Sequence, residues 1–278
     1  MNIVQETAEK LRLDEAEKKE FFEYFRNRYA DLEERPIDSH DGFPVWKKVM
    51  MCADFVGAED TINMFFCKHK PMKLRDKAAV SFDLAVTEAG EVPLIIFGDV
   101  EDFEEFAVRV VFKDKRPDTL ERTGAMFVYG EGIRFLVLSR KPYSNVRAEE
   151  LSLEEEVWLS KSLELRKEHE CTHFLTKSIY GLSENRLHDE LMADFMGLYE
   201  TFGFYSSEWF CRFMGIIPGG GSRLIVYTGD LSERVREAAA ETVRLLSLRL
   251  EKWSETEEFR KLSSVERLKF MCKSLYEL

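Results

Sequence analysis

The amino-acid sequence predicts an α+β fold, in which N-terminal helices and a small β-sheet precede a mostly helical C-terminal half. Residues 14–34, DEAEKKEFFEYFRNRYADLEE, place Phe21, Phe25 and Tyr29 at helical spacing. The short β-rich runs AAVSFDLAVT and VPLIIFG follow, each bounded by turn residues. After Pro142 the helical pattern continues almost to the last residue. Helices before and after a compact group of strands are typical of the α+β class.

The predicted helices of the N-terminal part have recognisable ends. The helix over residues 14–34 begins with Asp14 and Glu17 in a capping-box arrangement, and Pro36 stops it. Residues 44–57, PVWKKVMMCADFVG, predict a second helix with a proline at its start and a glycine at its end. Residues 102–114, DFEEFAVRVVFKD, repeat apolar side chains at helical spacing and predict a third.

A hairpin and a series of long helices complete the prediction. Residues 124–141, GAMFVYGEGIRFLVLSRK, predict two strands joined at Gly130-Glu131-Gly132. The segment IIPGGGSRLIVYTGD matches no nucleotide-binding glycine pattern and predicts a flexible loop. We expect a single domain over 1–278, with an α/β part at 1–145 and a helical part at 146–278. The helices expected in the second part are Ser152–Tyr180, Asn185–Phe202, Ser207–Gly215, Ser232–Trp253 and Glu257–Tyr276.

The amino-acid composition disfavours several classes of partner. The net charge of −12 disfavours nucleic acid and anionic membranes, because both reward clustered Lys and Arg. No apolar run is long enough to span a membrane, and the start of the chain lacks a signal-peptide pattern. The five cysteines are scattered without a C-x-x-C pair, which favours reduced thiols over disulfides. We therefore expect a cytoplasmic protein; the sequence does not indicate its oligomeric state.

The segment LRKEHECTHFLTK contains the pattern H-E-x-x-H and two of the five histidines. On an α-helix His169 and His173 lie about 40° apart and one turn along, so that both rings can reach one metal ion. Glu170 lies about 100° to one side, where it can contact water at the metal. Cys171 lies on the opposite side and is expected to be a buried thiol. The spacing predicts a metal site with its own general base.

The next predicted helix supplies candidates for a third ligand. In LHDELMADFMG, Glu190 and Asp194 are four residues apart and share a helical face. With Glu190 as ligand, Asp194 can accept the outer N–H of a ligating histidine and orient its ring. His188 is the competing ligand and points about 200° away from Glu190; a surface position is the favoured interpretation for it. Asp189 is expected to be solvated.

HECTH followed by ELMAD resembles the zinc site of the gluzincin metallopeptidases. The resemblance implies a zincin-like fold and a bound Zn²⁺ ion with His169, His173 and Glu190 as ligands. It also implies that Glu170 is the general base and that Asp194 supports the ligands. The longer stretch from TGAMFVYG to FMGL is similar only to uncharacterised bacterial proteins, which implies no activity.

A zinc-dependent hydrolase of peptide bonds is the function that this resemblance implies, with a peptide or protein as substrate. An edge strand, for which IRFLVLS is the candidate, would bind the extended substrate. The alternative is a non-catalytic or highly target-specific zincin-like protein with a regulatory or binding role. The donor that stabilises the oxyanion is left open by the sequence. Its candidates are Tyr180, His188, Arg186, Tyr199 and Tyr227.

Overall fold

The computed structural model describes residues 2–37, 44–130, 133–182, 186–217 and 223–278 and confirms the α+β fold. The strands are β1 (Val80–Thr87), β2 (Gly90–Phe97), β3 (Ala125–Gly130) and β4 (Ile133–Ser139). The helices before β3 are α1 (Ile3–Lys10), α2 (Glu15–Tyr24), α3 (Pro44–Val56), α4 (Ala58–Phe65) and α5 (Val100–Phe106). Those after β4 are α6 (Glu155–Tyr180), α7 (Leu187–Phe202), α8 (Ser207–Met214), α9 (Arg223–Thr228), α10 (Glu233–Ser254), α11 (Glu257–Lys261) and α12 (Ser264–Ser274).

The four described strands form one mixed sheet in the order β1-β2-β4-β3. β1 and β2 are antiparallel, β2 and β4 are parallel, and β3 and β4 form the antiparallel pair predicted from the sequence. The turn expected at Glu131-Gly132 lies outside the described residues. Because β4 is paired on both sides, the expectation that IRFLVLS is an edge strand is wrong. A strand with two neighbours has no free backbone groups for an added peptide.

The chain divides into two compact units. The sheet unit comprises Ile37–Cys171, and the helical unit comprises Met1–Pro36 together with Thr172–Leu278. The boundary falls within the continuous helix α6. The expectation of a single domain divided at residue 145 stays a prediction.

The sheet unit is built on an aromatic core. Trp46, Phe97, Phe106 and Phe135 are almost fully buried there, and the Trp46 and Phe135 rings stack with centroids 5.5 Å apart. Burying each such ring contributes about 1.5–3 kcal/mol, so this cluster is a major source of the unit's stability.

The helical unit joins the first helices of the chain to the last. Lys10 of α1 pairs with Glu241 of α10 at 2.7 Å, and Arg249 of α10 pairs with Glu6 of α1. A separate aromatic cluster includes Phe195 of α7, which contacts Phe259 with ring centroids 5.8 Å apart. Helix α7 is therefore packed within this unit.

The first predicted helix is shorter than expected. The helix that begins at Asp14 ends at Tyr24, and its predicted continuation to residue 34 is wrong. Just beyond it, Asn27 donates to the carbonyl oxygens of Cys272 and Lys273 and accepts from the Tyr29 N–H. Side-chain amides that bind backbone groups in this way compete with helix formation.

The predicted helix Glu257–Tyr276 is divided into α11 and α12. Ser263 and Glu266 form a capping box that starts α12, a start signal that the helical periodicity concealed. The segment predicted as a glycine-rich loop contains α9, whereas residues 218–222 lie outside the described part of the chain. Within the described ranges, no helix combines the length and apolar character needed to cross a bilayer.

Candidate metal centre

The two histidines of the motif lie on α6, as predicted. This helix has acidic Glu155 and Glu156 in its first turn and contains neither glycine nor proline. It ends at Gly181, whose φ of +69° is the left-handed conformation typical of a helix stop. The Gly181 N–H donates to the Lys177 carbonyl at 2.8 Å. The turn residues Ser183 and Asn185 lie outside the described residues.

His169, His173 and Glu190 form a compact cluster. Each offers one ligand atom, and these atoms lie within 4.8 Å of one another. His169 and Glu190 are buried, and His173 is partly exposed. Nε2 of His173 is 3.5 Å from Oε1 of Glu190. The side chains that the sequence singled out as ligands are therefore close enough together to hold one ion.

Two residues of α9 hold the other oxygen of Glu190. Oε2 accepts hydrogen bonds from Nη2 of Arg223 and from the hydroxyl of Tyr227, each at 2.8 Å. Burial raises the pKa of the Tyr227 hydroxyl and is the largest of several influences on that pKa. Oε1, the oxygen on the His173 side, is thus oriented by contacts to its partner oxygen.

Asp194 is fully buried and pairs with the same arginine. Its Oδ2 accepts a hydrogen bond from Nη1 of Arg223 at 2.7 Å. One guanidinium therefore joins Glu190 and Asp194, the two carboxylates that the sequence placed on one helical face. That Asp194 also supports a histidine stays a prediction.

Tyr143 fixes the ring of His169. Its hydroxyl is 2.9 Å from Nδ1 of His169, and both side chains are buried. Its backbone N–H donates to the Ser162 hydroxyl at 3.0 Å, which ties the segment after Pro142 to α6. When Nδ1–H donates to the tyrosine oxygen, Nε2 carries the lone pair that a metal requires.

Arg166 supports this arrangement from one turn earlier on α6. Its Nη1 donates to the carbonyl oxygens of Ser139 at 2.7 Å and Lys141 at 3.1 Å. A Cβ atom at Gly124 would approach the Arg166 Nε to 2.5 Å, so a larger residue there would displace the guanidinium. The segment that leads to Tyr143 is therefore held by a buried cation.

Glu170 has the freedom that a general base needs. The residue is partly exposed and makes no hydrogen bond or ion pair with another described residue. Its neighbour Cys171 is buried, as predicted, and burial raises the pKa of the Cys171 thiol to about 12. Cys171 is not part of the cluster that His169, His173 and Glu190 form.

Two expectations for the start of α7 are wrong. His188 is buried and not on the surface: its Nε2 hydrogen-bonds the Met271 carbonyl at 3.1 Å. Burial lowers the pKa of His188 to about 4, so the ring is neutral at physiological pH. Asp189 is also buried, not solvated, and accepts a hydrogen bond from the Tyr29 hydroxyl.

The remaining oxyanion candidates have different surroundings. Tyr180 is buried edge-to-face against Tyr29, with ring centroids 5.4 Å apart. Arg186 is exposed at the first residue before α7. Tyr199 stacks on Phe195 with centroids 6.2 Å apart. Among these candidates, Tyr227 is the one with a described contact to the cluster.

The donor set fits a catalytic zinc site in its chemistry. Two imidazoles and one carboxylate are three ligands of the kinds that zinc accepts, which leaves a fourth position open. Arg223 and Tyr143 were not singled out in the sequence. Arg223 and Tyr227 are four residues apart, a helical spacing that the nearby glycines obscured. No sequence signal links Tyr143 to His169.

A known protein family matches the second half of the chain. Residues 133–278 match the family of unknown function DUF7005. Neither a search of curated proteins nor one of solved structures found a match. The matched region is more than half of the chain and contains the whole cluster. The chain therefore belongs to DUF7005, a family of unknown function.

Proposed function

We propose that this protein is a zinc-dependent hydrolase that cleaves peptide bonds. The observation that carries the proposal is the cluster of His169, His173 and Glu190, with ligand atoms within 4.8 Å of one another. Two histidines and one glutamate are a ligand set of catalytic zinc sites in peptidases. A structural zinc site is usually closed by four protein ligands, so the set of three that the described part of the chain provides favours catalysis.

The contacts around the ligands support the same proposal. Tyr143 holds Nδ1 of His169, and Arg223 and Tyr227 hold Oε2 of Glu190. In each of these two ligands, the anchoring contact uses one atom of the pair, and the proposal assigns the other atom to the ion. Such outer contacts orient ligands before the ion binds, which raises affinity.

Glu170 is the proposed general base. Zinc in such a site supplies Lewis acidity, which makes water acidic enough to lose a proton near neutral pH. A Glu170 carboxylate oxygen accepts that proton and returns it to the leaving amine. Glu170 is partly exposed and adjoins the buried ligand His169, and this position favours the role.

Tyr227 is the proposed oxyanion donor. Its hydroxyl is already directed at the cluster, 2.8 Å from Oε2 of Glu190. A shift of this hydroxyl from the carboxylate to the substrate oxygen would supply a hydrogen bond where negative charge develops. The described contacts of Tyr180 and His188 engage other parts of the helical unit, which disfavours both.

A peptide-library digestion tests the proposal. The zinc-loaded protein is incubated with mixed peptides, and new termini are identified by mass spectrometry. We expect cleavage by the native chain and a loss of about 100-fold or more in Glu170→Gln, with zinc retained. Glu168→Gln is the matched control, because Glu168 lies on the same helix and pairs with Lys167.

The outcomes separate the hydrolase from its alternative. Equal cleavage by native protein and Glu170→Gln would overturn the assigned base. Zinc binding without cleavage of any peptide would instead support the non-catalytic or target-specific protein that the sequence also allowed.

A further inference from the structure

A pocket that is separate from the metal-ligand cluster lies within the helical unit, at the start of α7. Its volume is about 240 Å³, enough for a ligand the size of a single amino acid. Tyrosine and leucine side chains form much of its wall, among them Tyr24, Leu187 and Leu231. The three cluster ligands do not line it.

The charged residues of this pocket are mostly arginines, although the whole chain is strongly acidic. Arg26, Arg28 and Arg186 line it, against the two carboxylates Asp189 and Asp230. The lining thus carries one formal positive charge in excess, whereas the whole chain has a net charge of −12. A single excess positive charge suits a monoanion better than a doubly charged phosphate.

The first turn of α7 adds backbone donors. Arg186 precedes this 16-residue helix and makes no side-chain cap, and the first-turn residues Leu187, His188 and Asp189 line the pocket. The backbone N–H groups of a helix's first turn favour anionic ligands.

Tyr276 gives an independent indication of a ligand. The side chain is 5% exposed, lines the pocket and packs on His188 with ring centroids 4.9 Å apart. Its hydroxyl makes no hydrogen bond with any residue in the described ranges. Burial raises the pKa of this hydroxyl, so it is a proton donor at physiological pH. The ring is buried but the hydroxyl is accessible from the pocket, so it can donate to a ligand there.

We propose that this pocket binds the carboxylate of a small, largely apolar ligand, through the guanidinium groups of its rim and the Tyr276 hydroxyl. Arginine matches the two oxygens of a carboxylate in geometry as well as charge. The leucine and tyrosine walls bury the apolar body.

The pocket also contacts the candidate metal centre. Tyr227 lines it, and the hydroxyl of the same residue donates to Oε2 of Glu190. The pocket is therefore lined by a side chain that also orients the proposed metal ligand Glu190. The carboxylate can belong to the end of a peptide or to a free small acid, since both offer the same group.

Calorimetric titration of the full chain, with and without zinc, tests this proposal independently of the hydrolase. The probes are N-acetyl-L-leucine, its uncharged amide, acetate, and the peptide N-acetyl-Ala-Ala-Leu. We expect the acid to bind about 10-fold or more tightly than the amide. We also expect Arg186→Gln to lower the affinity for the acid by about 10-fold, and Tyr276→Phe to lower it by about 3- to 10-fold. Arg260→Gln is the control, because this exposed arginine lies on α11 outside the pocket.

Each outcome has a definite meaning. Tightest binding by the peptide identifies a peptide end as the ligand, whereas tightest binding by N-acetyl-L-leucine identifies a free acid. Acetate that binds as tightly as N-acetyl-L-leucine would overturn the proposal, because the apolar walls would then contribute nothing. Equal binding of acid and amide, or no binding at ~10 mM, would overturn the proposal. Unchanged affinity in Tyr276→Phe would also overturn it, and that variant keeps the packed ring so that the fold is preserved. A chain that binds no added zinc but still selects the acid would contradict the hydrolase and leave the proposed carboxylate pocket standing.

Discussion

Two faces of α7 carry buried ionisable side chains. The two faces differ in how hydrogen-bond partners orient these side chains. On one face Glu190 and Asp194 share Arg223, and Oε1 of Glu190 is directed towards His173. On the other face His188 hydrogen-bonds the Met271 carbonyl and Asp189 accepts from Tyr29. All four side chains on these faces are at least nine-tenths buried. Burial alone therefore does not distinguish a candidate ligand from a structural residue.

The difference lies in the geometry of the partners. The partners of Glu190 occupy one oxygen and direct the other into a cluster of metal-binding atoms. The described partner of His188 is a backbone carbonyl, which fixes the ring between helices. Substitutions on the two faces should consequently change different properties.

The largest contrast is expected between neighbouring carboxylates. Glu190→Gln should lower zinc affinity by more than 100-fold, beyond the usual cost of losing an outer hydrogen-bond partner, because it removes a ligand charge. Asp189→Asn should leave zinc affinity within about 3-fold. Competition with a fluorescent zinc chelator measures both. Equal losses in the two variants would remove the distinction between the faces.

Removing the shared cation should destabilise the metal-free protein. Arg223→Met leaves Glu190 and Asp194 buried without their described guanidinium, which costs about 3 kcal/mol in the free energy of unfolding. Urea unfolding in chelator measures this loss, and zinc should reduce it by supplying a positive charge. The exposed Arg260→Met should change stability by about 0.5 kcal/mol or less. A similar effect of both variants would exclude a buried ionic network.

The opposite face should respond to pH. The folded pKa of His188 is about 4, below its ordinary value of 6.5, because the buried ring loses contact with water. The unfolded chain binds a proton below about pH 6.5 that the folded protein does not, so stability falls as the pH falls. Between about pH 7.5 and pH 5 the loss attributable to His188 is about 2 kcal/mol.

Comparison of native protein with His188→Gln isolates this contribution, since the carboxylates titrate alike in both. Urea unfolding at the two pH values should show a steeper loss in the native chain. Parallel losses would indicate that His188 does not resist protonation.

The smallest effect is expected at Tyr143. Tyr143→Phe keeps the ring and removes the hydroxyl that holds Nδ1 of His169. Zinc affinity should fall about 10-fold, the usual cost of losing such a support. Chelator competition is again the measurement, and Tyr199→Phe is the control, because the Tyr199 ring packs against Phe259 in the helical unit. An unchanged affinity would show that the His169 ring needs no external anchor.

Much of the candidate site could be predicted from helical periodicity. The spacing of His169 and His173, and that of Glu190 and Asp194, depends only on residues four apart on one helix. Glu190 was chosen from the chemistry of a third ligand, and its ligand atom lies within 4.8 Å of those of the two histidines. That the three bind a metal stays a prediction. The α+β class was predicted correctly because the strand and helix patterns occupy separate stretches.

The rest depends on contacts far apart in the chain. Residues Leu187 to Leu198 are all buried, so α7 has no solvated face and its periodicity could not separate His188 and Asp189 from the ligands' face. Arg223 lies on a six-residue helix after a run of glycines, where propensity is weak. Tyr143 lies in a short turn, and nothing local indicates its contact with His169.

The central claim is most directly tested by the zinc content of the protein. The native chain, purified without chelator or added metal, should contain about one zinc per chain by elemental analysis. His173→Ala should contain almost none, whereas His69→Ala should match the native chain because His69 is an exposed residue of the sheet unit. No zinc in the native chain, even after reconstitution, would contradict the assignment of this cluster as a metal centre.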